Sequence, residues 1–132
     1  MQWSDAFATG VDRLDEQHKL LFKMTEDFRA ALGEGRGQRV YGTLLVALDT
    51  YVRSHFRFEE GCMERYRCAV AAANTKAHEG FVTLLNDYRE RYEARGFDPT
   101  VARTLIDTLD QWLESHISRL DVQLRESVTK GL

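Results

Sequence analysis

The sequence predicts an all-α protein, an antiparallel up-down-up-down four-helix bundle with an extended N-terminal arm. The chain has a single proline and few runs of β-branched residues, a composition that favours helix. Four segments carry apolar residues at intervals of three and four, the spacing of an amphipathic helix. The connections between them are short, which is typical of antiparallel neighbours. Residues 1–132 are expected to form one domain, long enough to bury a core without disulfides.

Charge and hydropathy argue against two classes of partner, nucleic acids and membranes. The 18 basic and 21 acidic residues give a net charge of -3, and no basic patch predicts a nucleic-acid partner. No stretch approaches the length needed to cross a bilayer, and the first ten residues lack the pattern of a secretory signal. We therefore expect a cytoplasmic protein that binds neither nucleic acid nor membrane.

The N-terminal arm comprises Met1 to Gly10, and its Trp3 is available to pack onto the core. Asp12 is suited to cap the first helix, because its carboxylate can accept from free backbone N–H groups. Gly33 and the alternating glycines after it are expected to end this helix. The predicted inward stripe is Leu14, His18, Leu21, Phe22, Thr25, Phe28 and Leu32.

A second helix is predicted from about Gln38 to Arg67, and a third from about Val70 to Ala94. The turn between Tyr66 and Ala69 contains neither glycine nor proline, so it is inferred from a shift of the apolar stripe. The inner face of the second helix is predicted as Leu44, Leu48, Tyr51, His55, Phe58 and Cys62. That of the third is predicted as Asn74, His78, Phe81, Leu85, Tyr88 and Tyr92.

The segment Arg95 to Pro99 predicts a helix stop followed by a restart. Gly96 is suited to the C-cap, Asp98 to the next N-cap, and Pro99 to the first helical position. The fourth helix should then run to about Val128. Its predicted inner face is Val101, Leu105, Leu109, Trp112, Leu113, His116 and Leu120.

His55 and Glu59 indicate a metal site. The two residues are four apart in a predicted helix, so their side chains lie on the same face and can reach one ion. Their neighbours Tyr51, Phe58 and Cys62 are apolar, and burying an ionisable pair among such residues is costly unless a partner neutralises it. A metal ion would supply that neutralisation.

The four histidines fall one per predicted helix and are expected to lie in one layer of the bundle. Residues equally distant from a turn lie at equal height, because both helices rise by the same amount per residue. His78 and His116 are each 19 residues from Phe97, and Glu59 and His78 are about equally far from the turn near Arg67. His18 and His55 flank the first turn in the same way.

Imidazole nitrogen and carboxylate oxygen without thiolate suit iron, manganese or zinc. Four histidines with one or two carboxylates exceed the ligand number of one tetrahedral zinc, so two ions bridged by carboxylate are expected. Asp121 follows His116 by five residues, about 140° round an ideal helix. On spacing alone it is a surface residue, unless the helix is distorted there.

The motifs of the chain resemble those of the hemerythrins, in particular the bacterial single-domain bacteriohemerythrins. Four stretches carry the resemblance: Trp3 with Val11 to Leu20, His55 to Glu60 with Met63 and Glu64, His78 to Phe81, and Trp112 to Ile117 with Asp121. The resemblance covers nearly the whole chain. It implies a four-helix bundle around two iron ions that are bridged by an oxo or hydroxo group.

The resemblance also implies a role for each site residue. One iron would be held by His18 and His55, and the other by His78 and His116. Glu59 and Asp121 would bridge the two ions. Leu113 and Ile117 would line the small apolar pocket in which dioxygen binds.

Asn74 departs from the family pattern, whose third-helix motif is His-x3-His. This chain has asparagine four residues before His78, so the iron that carries three histidines in the family would keep two here. Three outcomes are open. The Asn74 amide oxygen ligates weakly, water fills the position, or the second metal binds poorly or not at all.

The first hypothesis for function is a non-haem di-iron protein that binds dioxygen, or a small diatomic ligand such as nitric oxide, for storage, delivery or sensing. The alternative is a di-iron redox enzyme, an oxidase, peroxidase or nitric oxide reductase, which uses the open position at Asn74. A third is an interaction module with vestigial metal binding. We expect an oxygen-binding protein rather than an enzyme, and no catalytic residue is assigned.

Overall fold

The computed structural model describes residues 3–130, which are helical over most of their length. The helices are α1 (Asp12–Gly33), α2 (Gly37–Arg65), α3 (Ala71–Arg95), α4 (Pro99–His116) and α5 (Gln123–Lys130), with a π-helical turn (Ile117–Asp121) between α4 and α5. Helix α1 packs against α2 and α4, and α2 packs against α3. This arrangement confirms the predicted four-helix bundle, whose fourth helix is α4, the π-helical turn and α5 in sequence. Within residues 3–130, no helix combines the length and apolar character needed to cross a bilayer.

The N-terminal arm packs against α1 and the π-helical turn, and α5 holds it in place. Met1 and Gln2 lie outside the described residues, and residues 5–7 form one 3₁₀ turn within the otherwise extended arm. The Arg125 guanidinium donates to the carbonyl oxygens of Ala8 and Ala6 at 2.7 and 3.0 Å. Trp3 packs against the core as predicted, with the Lys19 ammonium 4.4 Å from its ring centroid.

The start of α1 differs from the prediction that Asp12 caps it. Asp12 is the first helical residue, Val11 occupies the N-cap, and no side chain accepts a capping hydrogen bond. The carboxylate that acts here is Asp15, which accepts from the backbone N–H and the hydroxyl of Thr9, both at 2.8 Å. Because Thr9 is fully buried, Asp15 satisfies two donors of the arm that water cannot reach.

Helices α1 and α2 end in the same hydrogen-bonded turn. After α2, the N–H of Cys68 donates to the carbonyl of Met63 at 2.9 Å, and that of Arg67 donates to Glu64 at 3.1 Å. This pattern needs a left-handed residue, which is Gly35 after α1 (φ 78°) and Arg67 after α2 (φ 52°). The turn between residues 66 and 69 therefore exists as predicted, although its left-handed position carries a side chain.

The connection between α3 and α4 follows the sequence prediction closely. Gly96 has φ 77° at the C-cap of α3. The Asp98 carboxylate accepts from the backbone N–H of Thr100 at 2.8 Å, and Pro99 is the first residue of α4. Each of the three residues thus has the role that its chemistry predicts.

The buried face of α2 is rotated from the predicted stripe. Leu44, Tyr51 and Phe58 are only partly buried. Their places in the core are taken by Leu45, Val52, Phe56 and Met63. Helix α2 contacts both α1 and α3, and a helix between two neighbours must bury a wider face than a single stripe at intervals of three and four defines.

The two left-handed residues give a matched test of the turns. Gly35→Ala should lower the free energy of unfolding by about 1 kcal/mol, because nothing lies within 4 Å of the added methyl and only the backbone is strained. Arg67→Gly should raise it by up to about 1 kcal/mol, because glycine removes the strain of the left-handed conformation. Urea unfolding of the metal-free protein measures both.

Gly80→Ala is the control for this comparison. Its position is helical and equally open, so the same change should raise stability there through helix propensity. If Gly35→Ala and Gly80→Ala shift stability in the same direction, the left-handed turn is not what makes glycine necessary at position 35.

Candidate metal centre

Five buried side chains meet in one layer of the bundle. The Glu59 carboxylate lies at the centre, and the Nε2 atoms of four imidazoles face it. Oε2 is 2.9 Å from Nε2 of His18 and 3.3 Å from Nε2 of His55. Oε1 is 3.0 Å from Nε2 of His78 and 3.3 Å from Nε2 of His116. Each oxygen of one carboxylate therefore faces a different pair of histidines.

Asp121 reaches this layer because the fourth helix widens beside it. Over Ile117–Asp121 the backbone is π-helical, and the N–H of Val122 donates to the carbonyl of Ile117, five residues back, at 3.0 Å. The Asp121 oxygens lie 3.2 Å from Nε2 of His18 and 3.1 Å from Nε2 of His116. Ideal helix spacing placed Asp121 at the surface unless the helix is distorted there, and the π-helical turn is that distortion, so Asp121 is fully buried.

The donor atoms form two groups that share Glu59. One group is His18, His55 and Glu59, and the other is Glu59, His78 and His116, with the ligand atoms of each group within 4.8 Å of one another. Imidazole nitrogen and carboxylate oxygen lie about 2.0–2.2 Å from a first-row metal ion, so ligands at right angles on one ion are about 3 Å apart. The observed contacts between carboxylate oxygen and Nε2 have that separation.

Unpartnered polar atoms show that the layer suits a cation. Both carboxylate oxygens of Asp121 are fully buried and have no hydrogen-bond donor aligned with them, although two imidazoles lie close by. A buried carboxylate needs positive charge beside it, which protonated imidazoles supply in the absence of metal and a metal ion supplies when bound. The residues present therefore fit one or two metal ions with nitrogen and oxygen ligands.

Electrostatics in the layer favour charged imidazoles beside the two carboxylates. Burial opposes the charged form of His18 and His116, but Asp121 and Glu59 outweigh it and raise the pKa of each imidazole to about 9. Burial also lowers the pKa of His55, which Glu59 only partly offsets. The pKa of Glu59 is well below its ordinary value, because the four imidazoles overcome its burial, whereas burial and Glu59 raise the pKa of Asp121.

The opposite edges of two imidazoles are held by hydrogen bonds. Nδ1 of His55 donates to the amide oxygen of Gln17 at 2.8 Å. Nδ1 of His78 donates to the carboxylate of Glu60 at 3.1 Å. Each bond orients its ring so that Nε2 faces the centre, where its lone pair would be available to a metal ion. Sequence reasoning gave these two partners no role, although each adjoins a candidate ligand within a quoted motif.

Aromatic rings pack flat against two of the imidazoles. Phe56 stacks on His78 with ring centroids 3.8 Å apart, and Trp112 stacks on His116 at 4.3 Å. An imidazole that lies flat against another ring cannot turn about its Cβ–Cγ bond without losing that contact. Both aromatics lie in the motifs of the sequence, but their stacking was not predicted.

Asn74 lies one helical turn before His78 on α3, on the same face. Its side chain is fully buried, and neither its amide oxygen nor its amide nitrogen has a hydrogen-bond partner. An unpartnered buried amide is unusual, because most buried polar side chains are satisfied. This position is therefore polar, enclosed and available for a further ligand.

Leu113 and Ile117 lie on either side of His116 along the fourth helix. Leu113 is the neighbour on α4 and Ile117 begins the π-helical turn, and both side chains are buried in the main apolar core. The layer of polar donors is thus bounded by apolar side chains on this helix.

Comparison with known proteins shows what this chain resembles. Residues 9–124 match the family described as the hemerythrin HHE cation binding domain. A bacteriohemerythrin of Pseudomonas aeruginosa is 32% identical over 130 residues, which cover 98% of this chain and 82% of the relative. A bacteriohemerythrin of Methylococcus capsulatus is 30% identical over 122 residues, covering 92% and 91%. A hemerythrin-like protein of Naegleria gruberi is 27% identical over 123 residues.

Without metal, the protein should become less stable as the pH rises from about 6.5 to about 9. In the folded protein the pKa of His18 and that of His116 are about 9, against an ordinary value of 6.5. The stabilisation by their protonated forms is therefore complete below pH 6.5 and is lost as the pH rises through 9. The free energy of unfolding should fall by up to about 1.4 kcal/mol per pH unit for each imidazole. Urea unfolding with chelator present, across this range, measures the slope.

Asp121→Asn is the control for this dependence. It removes the largest interaction that raises the two pKa values, so the slope should flatten. A metal-free stability that stays constant or rises over this range would contradict the assignment of raised pKa values to these two histidines.

Proposed function

Because the chain belongs to the hemerythrin family, we propose that it is a non-haem di-iron protein that binds dioxygen, or a similar small ligand such as nitric oxide, for storage, delivery or sensing. The observation that carries the proposal is the position of Glu59. Its two oxygens face two separate pairs of imidazoles, as expected of a carboxylate that bridges two ions. A single ion would leave half of these donors without a partner.

In this proposal the ligands divide as the two groups of donors do. One iron is held by His18 and His55, the other by His78 and His116, and Glu59 and Asp121 bridge them. The contacts of Asp121 with one histidine of each pair support its bridging role. When bound, ferrous iron supplies the electrons that dioxygen binding requires.

The apolar side chains beside His116 would keep the bound ligand from water. Leu113 and Ile117 are 4% and 1% exposed, so solvent does not reach their face of the layer. Excluding water limits proton delivery and side reactions of a bound ligand. We therefore propose that these two residues line the space that dioxygen enters.

The direct test is the number of iron ions per chain after anaerobic reconstitution with ferrous iron. The proposal expects close to two, together with a rise in the unfolding midpoint, since metal binding to the folded state is linked to stability. A chain that binds no iron, with a stability that chelator does not change, would contradict the proposal and favour an interaction module with vestigial metal binding.

A second candidate function, a di-iron redox enzyme, is favoured by Asn74. A buried amide without partners, in place of an imidazole, would leave a coordination position for an exchangeable ligand. Admitting air to the reconstituted protein distinguishes the two functions. An optical change that reverses on deoxygenation supports oxygen binding, whereas consumption of peroxide over many cycles supports an enzyme.

Replacing Asn74 by histidine tests the position itself. Asn74→His should slow iron loss to a chelator by at least about tenfold, the size of effect that outer partners of metal ligands already produce. It should also slow autoxidation. Ala73→His places an imidazole on the exposed side of the same helix and should change neither rate. If the two variants behave alike, position 74 does not face the metal.

A further inference from the structure

The imidazole of His78 borders a surface groove as well as the buried layer. This groove, about 800 Å³ in volume, lies between α2 and α3 and is lined in part by Phe56, Glu60, Gly61 and His78. Glu60 is 36% exposed within it, whereas His78 is only 3% exposed. The hydrogen bond between them thus joins a side chain in contact with water to one inside the layer.

The two halves of the layer differ in what receives the Nδ1 protons. In one half, His55 donates to the neutral amide of Gln17, and Nδ1 of His18 has no hydrogen-bond partner. In the other half, His78 donates to the carboxylate of Glu60. The Nε2 contacts with Glu59 are similar in the two halves, so among the groups that face Nδ1 the charge of Glu60 is the difference.

A carboxylate that accepts the Nδ1 proton makes the imidazole a stronger ligand. It draws the proton toward itself and leaves more electron density on Nε2, which a neutral amide does more weakly. The ring of His78 is held for this bond, because Phe56 stacks on it at 3.8 Å with only 5° between the planes. The Nδ1–H of His78 is therefore held toward Glu60.

We propose that Glu60 is a positioning residue that strengthens the His78 half of the metal centre, so that the two metal ions are held unequally. The inference rests on the proposed function, since it requires two ions. In this half the third-helix histidine of the family is replaced by Asn74, and the charge of Glu60 offsets part of that loss. The ion near His55, whose partner is the neutral Gln17, is then the more readily lost.

Release of cobalt(II) to a chelator, followed by the optical spectrum of the bound ion, tests this directly. The unaltered protein should lose its two ions in a fast and a slow phase. Glu60→Gln keeps an acceptor but removes the charge, and should accelerate the slow phase by about 10- to 100-fold. Gln17→Glu should slow the fast phase, and the double variant should reverse which half releases first.

Glu64→Gln is the matched control, because Glu64 lines the same groove on the same helix and is exposed. It should leave both phases unchanged. Metal-free unfolding of each variant, measured in parallel, separates loss of ligand strength from loss of fold. A purely structural role for Glu60 would lower metal-free stability and accelerate both phases together.

The outcomes separate the two proposals. Two bound cobalt ions whose slow phase is the same in the unaltered protein, Glu60→Gln and Glu64→Gln would overturn the role of Glu60 and leave the di-metal site standing. Fewer than two ions in the unaltered protein would overturn the di-metal site and this inference with it. Acceleration confined to the slow phase of Glu60→Gln supports the inference.

Discussion

The buried carboxylate of Glu59 is the constraint on which the rest of the bundle depends. It is fully buried, and its two oxygens face imidazoles from four helices. A carboxylate in such a place is costly unless every neighbour compensates it, so each helix must deliver one side chain at the same height. The relative heights of the four helices and the composition of the polar centre are therefore constrained together.

The same constraint explains the irregular fourth helix. An unbroken α-helix would carry Asp121 away from the layer, whereas the π-helical turn returns it to His18 and His116. Such turns are rare in helices and often occur at functional sites. Helix α5 follows this turn directly, and in it Leu124 is fully buried and Arg125 holds the N-terminal arm.

Much of the fold followed from local chemistry, and the failures have physical reasons. Asp98 and Pro99 start a helix in any context, because capping and ring geometry act within a few residues. The turn at Arg67 was predicted from the shift of the apolar stripe, but its left-handed conformation was not, because no glycine signals it. The rotated face of α2 was missed because a single stripe cannot show that the helix has two neighbours.

For the candidate site, the sequence by itself determined that four histidines and Glu59 share one layer. Equal rise per residue makes height in a helical hairpin a matter of counting from the turn. Only the tertiary structure decided where Asp121 points and which groups hold the far edges of His55 and His78. The position of Asp121 depends on the π-helical turn of the backbone. The partners of the two imidazoles depend on contacts between helices, such as that of Gln17 with His55, and residue spacing within one helix cannot predict such contacts.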